Sequence, residues 1–320
     1  MKVALIYSGA TEKCSPDNQD TIVQMEEVNA LLKLLEIDVQ PVAFDDSFSN
    51  LETTISQIEP DLIFNLVETV RGTDSLSYTA AAFFEYMNIP YTGCPAIALS
   101  LLSSKIRQKE LLQLAGLPTP DFIRNYYSSL PNGGPWIVKS VTEHASVGLN
   151  AECVVETSVE AKKVIIEKQN NLGGRWFAER YIDGREFNLS LLNDTNGNPQ
   201  VLPAAEILFN HYPSDAPKIV DYAAKWEPDS FSYSATSRRF DFNVDDQVLL
   251  SQLTDLCHQC WHLFELKGAV RIDFRVDNDG NPWILEVNAN PCLSSDAGFM
   301  AAAKQQGILA QNVIKQLLPI

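Results

Sequence analysis

Asp273, Glu286 and Asn288, near the end of the chain, are spaced so that one point could be ringed by hard oxygen ligands. They fall within GAVRIDFRVDNDGNPWILEVNANP, residues 268–291. Two carboxylates and an amide oxygen form the donor set that Mg²⁺ prefers. Arg271 beside them would hold a phosphate or a developing oxyanion. Acidic residues on a hairpin commonly do no more than face solvent, and two details argue for chemistry here. Glu286 interrupts the apolar run WILEV, where an unpaired carboxylate is costly. Asn288 and Asn290 then lead into Pro291, at the kind of sharp strand end where functional groups collect.

The elements that must position these groups are two strands and a tight turn. Val270 to Val276 alternates apolar and polar residues, Asn278-Asp279-Gly280-Asn281 is turn chemistry, and Trp283 to Val287 returns. Side chains two apart share a face, so Arg271, Asp273 and Arg275 point one way and Ile272, Phe274 and Val276 the other. Glu286 and Asn288 share a face of the second strand.

A second group of residues suits phosphate. Lys139 ends the apolar run WIVK, where a strand can aim its ammonium at an anion. The loop SVTEHASVGLN that follows has short residues and Gly148, so its backbone N–H groups could fold over a triphosphate as a flap. Glu143, His144, Ser146 and Val147 belong to that flap.

The chain has 320 residues, 45% of them hydrophobic, with no low-complexity tract, and so has room for two or three globular units. Its 24 basic and 41 acidic residues give a net charge of −17, which argues against nucleic acid or an anionic membrane as a partner. The opening apolar run VALIY is too short for a signal peptide or a membrane span and fits a strand, so a cytoplasmic protein is expected. Six scattered cysteines fit reduced thiols. Cys257 and Cys260 form a lone CxxC inside the amphipathic stretch Asp246 to Leu266 and are read as small buried hydrophobes, with no zinc assigned.

Strands at Lys2 to Tyr7, Val39 to Phe44 and Asp61 to Val67 alternate with helices, including Thr21 to Leu35 and Ser75 to Met87. That order predicts an α/β unit with a doubly wound parallel sheet, whose ligands bind beyond the C-terminal strand ends, at Ser8 to Lys13 and Glu68 to Asp74. A second unit follows: helix Lys105 to Ala115, strands Trp136 to Lys139, Ala151 to Val155 and Arg175 to Tyr181, and helix Ser158 to Asn170. A third opens with a hairpin of Phe187 to Leu192 and Gln200 to Phe209, continues through a long mobile loop from His211 to Glu227, and ends in helices between Gly298 and Leu318.

RIDF followed by LEVNANP resembles the metal-binding end of ATP-grasp ligases, most closely the D-alanine–D-alanine ligase family. FNLVE, IPYTG and LPTP after a Lys-bearing helix follow the same family in order, so the resemblance spans essentially the whole chain. It implies an N-terminal substrate domain over 1–94, a central ATP-grasp lobe over 95–184 and a C-terminal lobe with the metal and catalytic site over 185–320. It also implies Mg²⁺, or Mn²⁺, on Asp273, Glu286 and Asn288, and Arg271 beside the transferred phosphate. Lys105, Lys139 and Lys225 would offset phosphate charge, with Lys225 on a lid formed by the 211–227 loop. In FAERYIDGREF, Glu179 would accept from the adenine amino group, backbone at Arg180, Tyr181 and Ile182 would read the ring edge, and Glu186 would hold the ribose.

The substrate side departs from the family pattern. SGATEKCSPDN replaces the usual loop whose Glu binds the first substrate's amino group, leaving Glu12 or Glu68 for that role. His144 and Ala145 replace a Gly and a Ser in the flap, and Trp226 stands where Tyr is frequent. By the resemblance Asn290 and Cys292 would lie on the substrate side, where backbone N–H groups near Cys292 would stabilise the oxyanion. CLSSDAGF replaces a segment whose Ser holds the second substrate's carboxylate, so Asp296 either holds an ammonium or caps the next helix, capping being preferred.

The implied activity is amide formation between small-molecule carboxylate and amine substrates through an acyl phosphate, releasing ADP and phosphate. The departures favour an amino acid, dipeptide or natural-product substrate over D-alanine alone. A cell-wall D-alanine–D-alanine ligase, a non-catalytic ATP-binding protein and a kinase are the alternatives, and a homodimer is expected from the resemblance.

Overall fold

Strand Leu62–Leu66 is apolar apart from Asn65 and is buried at every position, as expected of a strand covered on both faces of a parallel sheet. In the computed structural model, which describes residues 1–9, 16–125, 127, 133–143, 145–194 and 196–318, it lies in a three-stranded parallel sheet. The N-terminal elements are β1 (Lys2–Ser8), α1 (Pro16–Leu34), β2 (Asp38–Phe44), α2 (Phe48–Ile58), β3 (Leu62–Leu66), α3 (Tyr78–Tyr86) and α4 (Ala96–Leu102). The sheet order is β2-β1-β3, with apolar layers on both faces.

The middle of the chain comprises α5 (Lys105–Leu114), β4 (Phe122–Ile123), β5 (Trp136–Ser140), β6 (Val154–Val155), α6 (Ser158–Leu172) and β7 (Trp176–Arg180). These strands form an antiparallel sheet in the order β4-β7-β5-β6. Helix α6 begins with a capping box between Thr157 and Glu160 and packs Ala161 and Ile165 on Trp136 and Val138. The strand expected over Ala151 to Val155 is shorter: Ala151–Cys153 is a 3₁₀ turn and only two residues pair with β5.

The remaining elements are β8 (Gly184–Asn193), β9 (Pro199–Val201), β10 (Ala205–Phe209), α7 (Tyr222–Trp226), α8 (Phe231–Ala235), β11 (Thr236–Arg239), α9 (Gln247–Leu263), β12 (Ala269–Asp277), β13 (Pro282–Asn288), α10 (Gly298–Gln305) and α11 (Ala310–Leu317). They build a sheet in the order β11-β10-β8-β12-β13, with β9 added to β8. Pro203, which has no N–H to give a ladder, separates β9 from β10 where one long strand was expected. The 211–227 loop is not structureless throughout, because Asp221 caps α7 through the Ala224 N–H.

One face of the large sheet is apolar. Ile272, Phe274 and Val276 alternate inward from β12 and pack with Phe187, Leu189, Leu253 and Trp261. Cys257 and Cys260 join that core from α9, and burial pushes the Cys260 thiol up to about 12. The opposite face looks into a cavity of about 770 Å³ lined by residues from both antiparallel sheets and from helices and loops of the N-terminal unit.

Candidate active site

The β12–β13 register sets Arg271 opposite Asn288 and Asp273 opposite Glu286, with a bulge just after Asp273. The period-two alternation therefore delivers the expected oxygen ligands to one wall of the cavity. Arg271 grips Asp273 through two bonds, Nε to Oδ1 at 2.8 Å and Nη2 to Oδ2 at 2.9 Å. Asn188, opposite Asp273 on β8, donates Nδ2 to the same Oδ1 at 2.8 Å. Glu286 lies 3.3 Å from the Lys105 ammonium, which also donates to the Glu143 carbonyl at 2.6 Å. Each carboxylate thus has a cation beside it, and a divalent ion would have to share that charge. The donor chemistry fits Mg²⁺: two carboxylates and the Asn288 amide, all oxygen. Among the described residues no third His, Cys, Asp or Glu side chain completes a larger metal cluster.

The free edge of β13 is held by a side chain. Gln108 of α5 donates Nε2 to the Val287 carbonyl at 3.0 Å and accepts from the Val287 N–H at 2.9 Å. Its fully buried amide imitates one more strand residue beside Glu286 and Asn288. This positioning group escaped the sequence reading.

So did Lys109. It is buried and lies 2.5 Å from Glu179, whose other oxygen is 2.6 Å from Lys139. Burial acts to raise the Glu179 carboxyl, and the two ammonium groups outweigh it, so the group stays below its ordinary value. Burial conversely holds the Lys109 ammonium below its ordinary value despite Glu179. Glu179, expected to meet an adenine amino group, is therefore already shared between two lysines. Lys109 also donates to Thr119 Oγ1 at 3.0 Å, and Thr119 donates to the Ile284 carbonyl on the metal hairpin at 2.8 Å.

Of the three residues whose backbone was expected at the adenine edge, two have their N–H occupied. Arg180 donates to the Asp121 carbonyl at 2.8 Å and Tyr181 to the Pro135 carbonyl at 3.0 Å. Ile182 alone keeps a free N–H among the described residues. The Arg180 guanidinium lies 4.4 Å over the Trp136 ring. Glu186 pairs with buried Arg275 at 2.9 Å, so Arg275, which sequence alternation grouped with Arg271, is taken up by Glu186.

The lid is seated on the flap. Ser146, at positive φ, donates Oγ to the Val220 carbonyl at 3.0 Å. Trp226 donates its indole N–H to the Ala145 carbonyl at 3.1 Å, and the Lys218 N–H meets the Tyr181 hydroxyl at 2.9 Å. Lys225 lines the cavity, and burial together with Arg271 lowers its ammonium's pKa. Val147 and Glu143 also line it.

The sequence model of the family described as D-ala D-ala ligase C-terminus matches residues 112–319. The chain belongs to the D-alanine–D-alanine ligase family. The D-alanine–D-alanine ligase of Carboxydothermus hydrogenoformans is 25% identical, over 99% of this chain and 97% of that protein. That of Saccharophagus degradans is 28% identical, over 82% and 78%. A crystal structure of the D-alanine–D-alanine ligase from Bacillus anthracis superposes with a TM-score of 0.75 at 21% identity, over 99% of this chain and 96% of that one. The fold expected from the sequence, a parallel N-terminal sheet followed by an ATP-grasp unit, is thereby borne out.

The residues expected on the substrate side are only partly described. Glu12 and His144 lie outside the described residues. Glu68 lines the cavity and accepts from Gln24 Nε2 at 2.7 Å. Gln24 also accepts from the Leu293 N–H at 2.7 Å, tying α1 to the segment after β13. Asn290 donates to the Val67 carbonyl at 3.2 Å. The Cys292 thiol donates to Asp20 at 3.3 Å, and burial pushes it up. The Leu293 and Ser294 amides are spent on Gln24 and on the Cys292 sulfur, whereas the Cys292 N–H meets no acceptor among the described residues. Asp296 does not cap α10: Ala297 is the N-cap, without a side-chain bond. The loop backbone lets Ala297 adopt the extended cap conformation and leaves the Asp296 carboxylate in the cavity wall.

Proposed function

We propose that this chain joins a small-molecule carboxylate to an amine at the cavity between its sheets, with ATP as the energy source. The reaction class, ATP-dependent carboxylate–amine ligation, comes with the family; the roles of the residues and the substrates are our reading. The observation that carries it is the pairing of Asp273 with Glu286, with Arg271 and Lys105 as their cations, on the same wall as Glu186.

In this reading Asp273, Glu286 and Asn288 would hold Mg²⁺, which would offset charge on the nucleotide's phosphates. The Ile182 N–H meets the adenine edge and Glu186, braced by Arg275, accepts from the ribose hydroxyls. Lys105, Lys139 and Lys225 face the phosphates from three elements. The substrate carboxylate attacks the γ-phosphorus, ADP leaves, and an acyl phosphate forms. The amine then attacks the acyl carbon, and phosphate leaves as the amine loses its proton. Arg271 and the Cys292 N–H stabilise the tetrahedral oxyanion, each contact of this kind being worth about 3 kcal/mol. The seated lid excludes water from the acyl phosphate.

D-Alanine is one candidate substrate. The spent Trp226 N–H and the altered SSDAGF segment favour another amino acid, a dipeptide or a natural-product intermediate. Phosphate release with ATP and Mg²⁺, across D- and L-amino acids and simple dipeptides, tests this with Glu286→Gln as control. Release that requires a carboxylate and an amine and is lost in the variant is expected; ATP binding with no release for any pair would overturn it.

A further inference from the structure

Lys168, on α6, has no part in the reaction described above. Its ammonium donates to the Gly148 carbonyl at 2.7 Å and lies 5.9 Å from the centre of the Trp176 ring on β7. Gly148 is where the flap turns. Its φ of +70 is left-handed, and a Cβ on it would meet Leu172 Cδ1 at 2.6 Å and Trp176 Cη2 at 2.8 Å. The Leu149 N–H closes the turn on the Ser146 carbonyl at 3.0 Å. The turn thus rests its back on α6 and β7, and a carbonyl set against apolar side chains needs a donor. Lys168 supplies a charged one, the stronger kind, and the Cys153 thiol a weak second at 3.5 Å.

The flap's other anchors come from the lid: Trp226 to Ala145, Ser146 to Val220 and Tyr222 to Leu149. Those bonds require a seated lid. The Lys168 bond does not, because α6 packs on β5, the strand from which the flap leaves. Ser146 and Val147 line the cavity. The Val147 and Gly148 N–H groups meet no acceptor among the described residues, and successive free amides of this kind are what a phosphate would meet.

We propose that Lys168 is a positioning residue for the nucleotide: by pinning the Gly148 carbonyl to α6, it holds the flap turn with the Val147 and Gly148 N–H groups open to phosphate, independently of the lid. The assignment rests on the ligase reading and deepens it at the flap.

The test titrates the full chain calorimetrically with Mg²⁺ and a non-hydrolysable ATP analogue. Lys168→Met keeps an unbranched stem over Trp176 and removes the donor, whereas Lys168→Arg keeps a donor. Lys168→Met is expected to weaken the analogue about tenfold and to speed hydrogen exchange of amides 146–149 in the nucleotide-free protein, with the melting temperature unchanged. Lys168→Arg should recover most of the affinity. Unchanged affinity in Lys168→Met would overturn the proposal. So would a loss that Lys168→Arg shares in full, one that comes with a marked fall in melting temperature, or one with flap exchange unaltered, which would make Lys168 a remote charge. Gly148→Ala separates the failures. If it weakens the analogue and Lys168→Met does not, the flap stands and the Lys168 role falls; if neither does, both fall. No binding of the analogue to the unaltered chain would overturn the ligase reading and this assignment together.

Discussion

The Trp226 indole N–H donates to the Ala145 carbonyl over 3.1 Å, linking the last residue of α7 to the flap. The same junction is held by Ser146 to Val220 and by the Tyr222 N–H to the Leu149 carbonyl, so three hydrogen bonds tie the lid to the flap. Trp226→Phe keeps an aromatic ring, though a smaller one, and removes one bond worth about 1 kcal/mol, roughly a fivefold change in the open–closed equilibrium. The KM for ATP should rise about that much, and proteolysis within 211–227 should quicken. An unchanged KM and cleavage rate would mean that the bond does not govern closure.

Lys109 tests whether the buried charges are structural. Removing one partner of a buried pair leaves the other exposed to its desolvation cost, typically about 3–5 kcal/mol. Lys139 still faces Glu179, so Lys109→Met should cost toward the lower end, about 3 kcal/mol, in denaturant titration. A loss under about 1 kcal/mol would show that Lys139 suffices alone.

Much of this site was legible because a strand's period is two. RIDF and LEV, read as alternating strands, give the Asp273–Glu286 pairing directly. Lys109 was harder: in KIRQKELLQL it looks like one more charge on a solvated helix. Its spacing of four from Lys105, which puts both ammonium groups on one face, was the available signal. The inward Gln108 carried no signal, since nothing local says that its amide meets a strand edge 179 residues away. Asp296 was misjudged because a polar residue before a helix reads as a cap, whereas the chain turned one residue later. β11 is only four residues long and mostly polar, so pattern alone gave no strand; its pairing with β10 decides it.

Glu206 predicts a pH dependence. Burial raises its carboxyl, but hydrogen bonds from Arg185 and Arg239 outweigh it and set the folded value below the ordinary 4.5. A lowered folded pKa means that the stabilisation is complete above the unfolded value and is lost as pH falls through the folded one. Glu206→Gln should therefore cost about 1–2 kcal/mol near pH 7, moderated because the arginines are partly exposed. The deficit in melting temperature should shrink below about pH 4.5; a constant deficit would point to packing instead of charge.

Gly148 holds the flap at φ +70, and a Cβ there would come within 2.6 Å of Leu172 Cδ1 and 2.8 Å of Trp176 Cη2. Gly148→Ala should strain the turn by about 1–2 kcal/mol and displace the flap backbone, weakening nucleotide binding about tenfold while the melting temperature falls only slightly. Wild-type affinity for the nucleotide would separate the flap from the phosphates.

The central claim is that a substrate carboxylate attacks the γ-phosphorus. Once an active pair is known, turnover with that carboxylate labelled with ¹⁸O and mass spectrometry of the released phosphate tests it directly. Transfer of a single ¹⁸O atom from the carboxylate to each phosphate is the predicted result. Unlabelled phosphate, with one label atom kept in the amide carbonyl and the other carried off on AMP or in water, would contradict an acyl phosphate and with it the role given to this site.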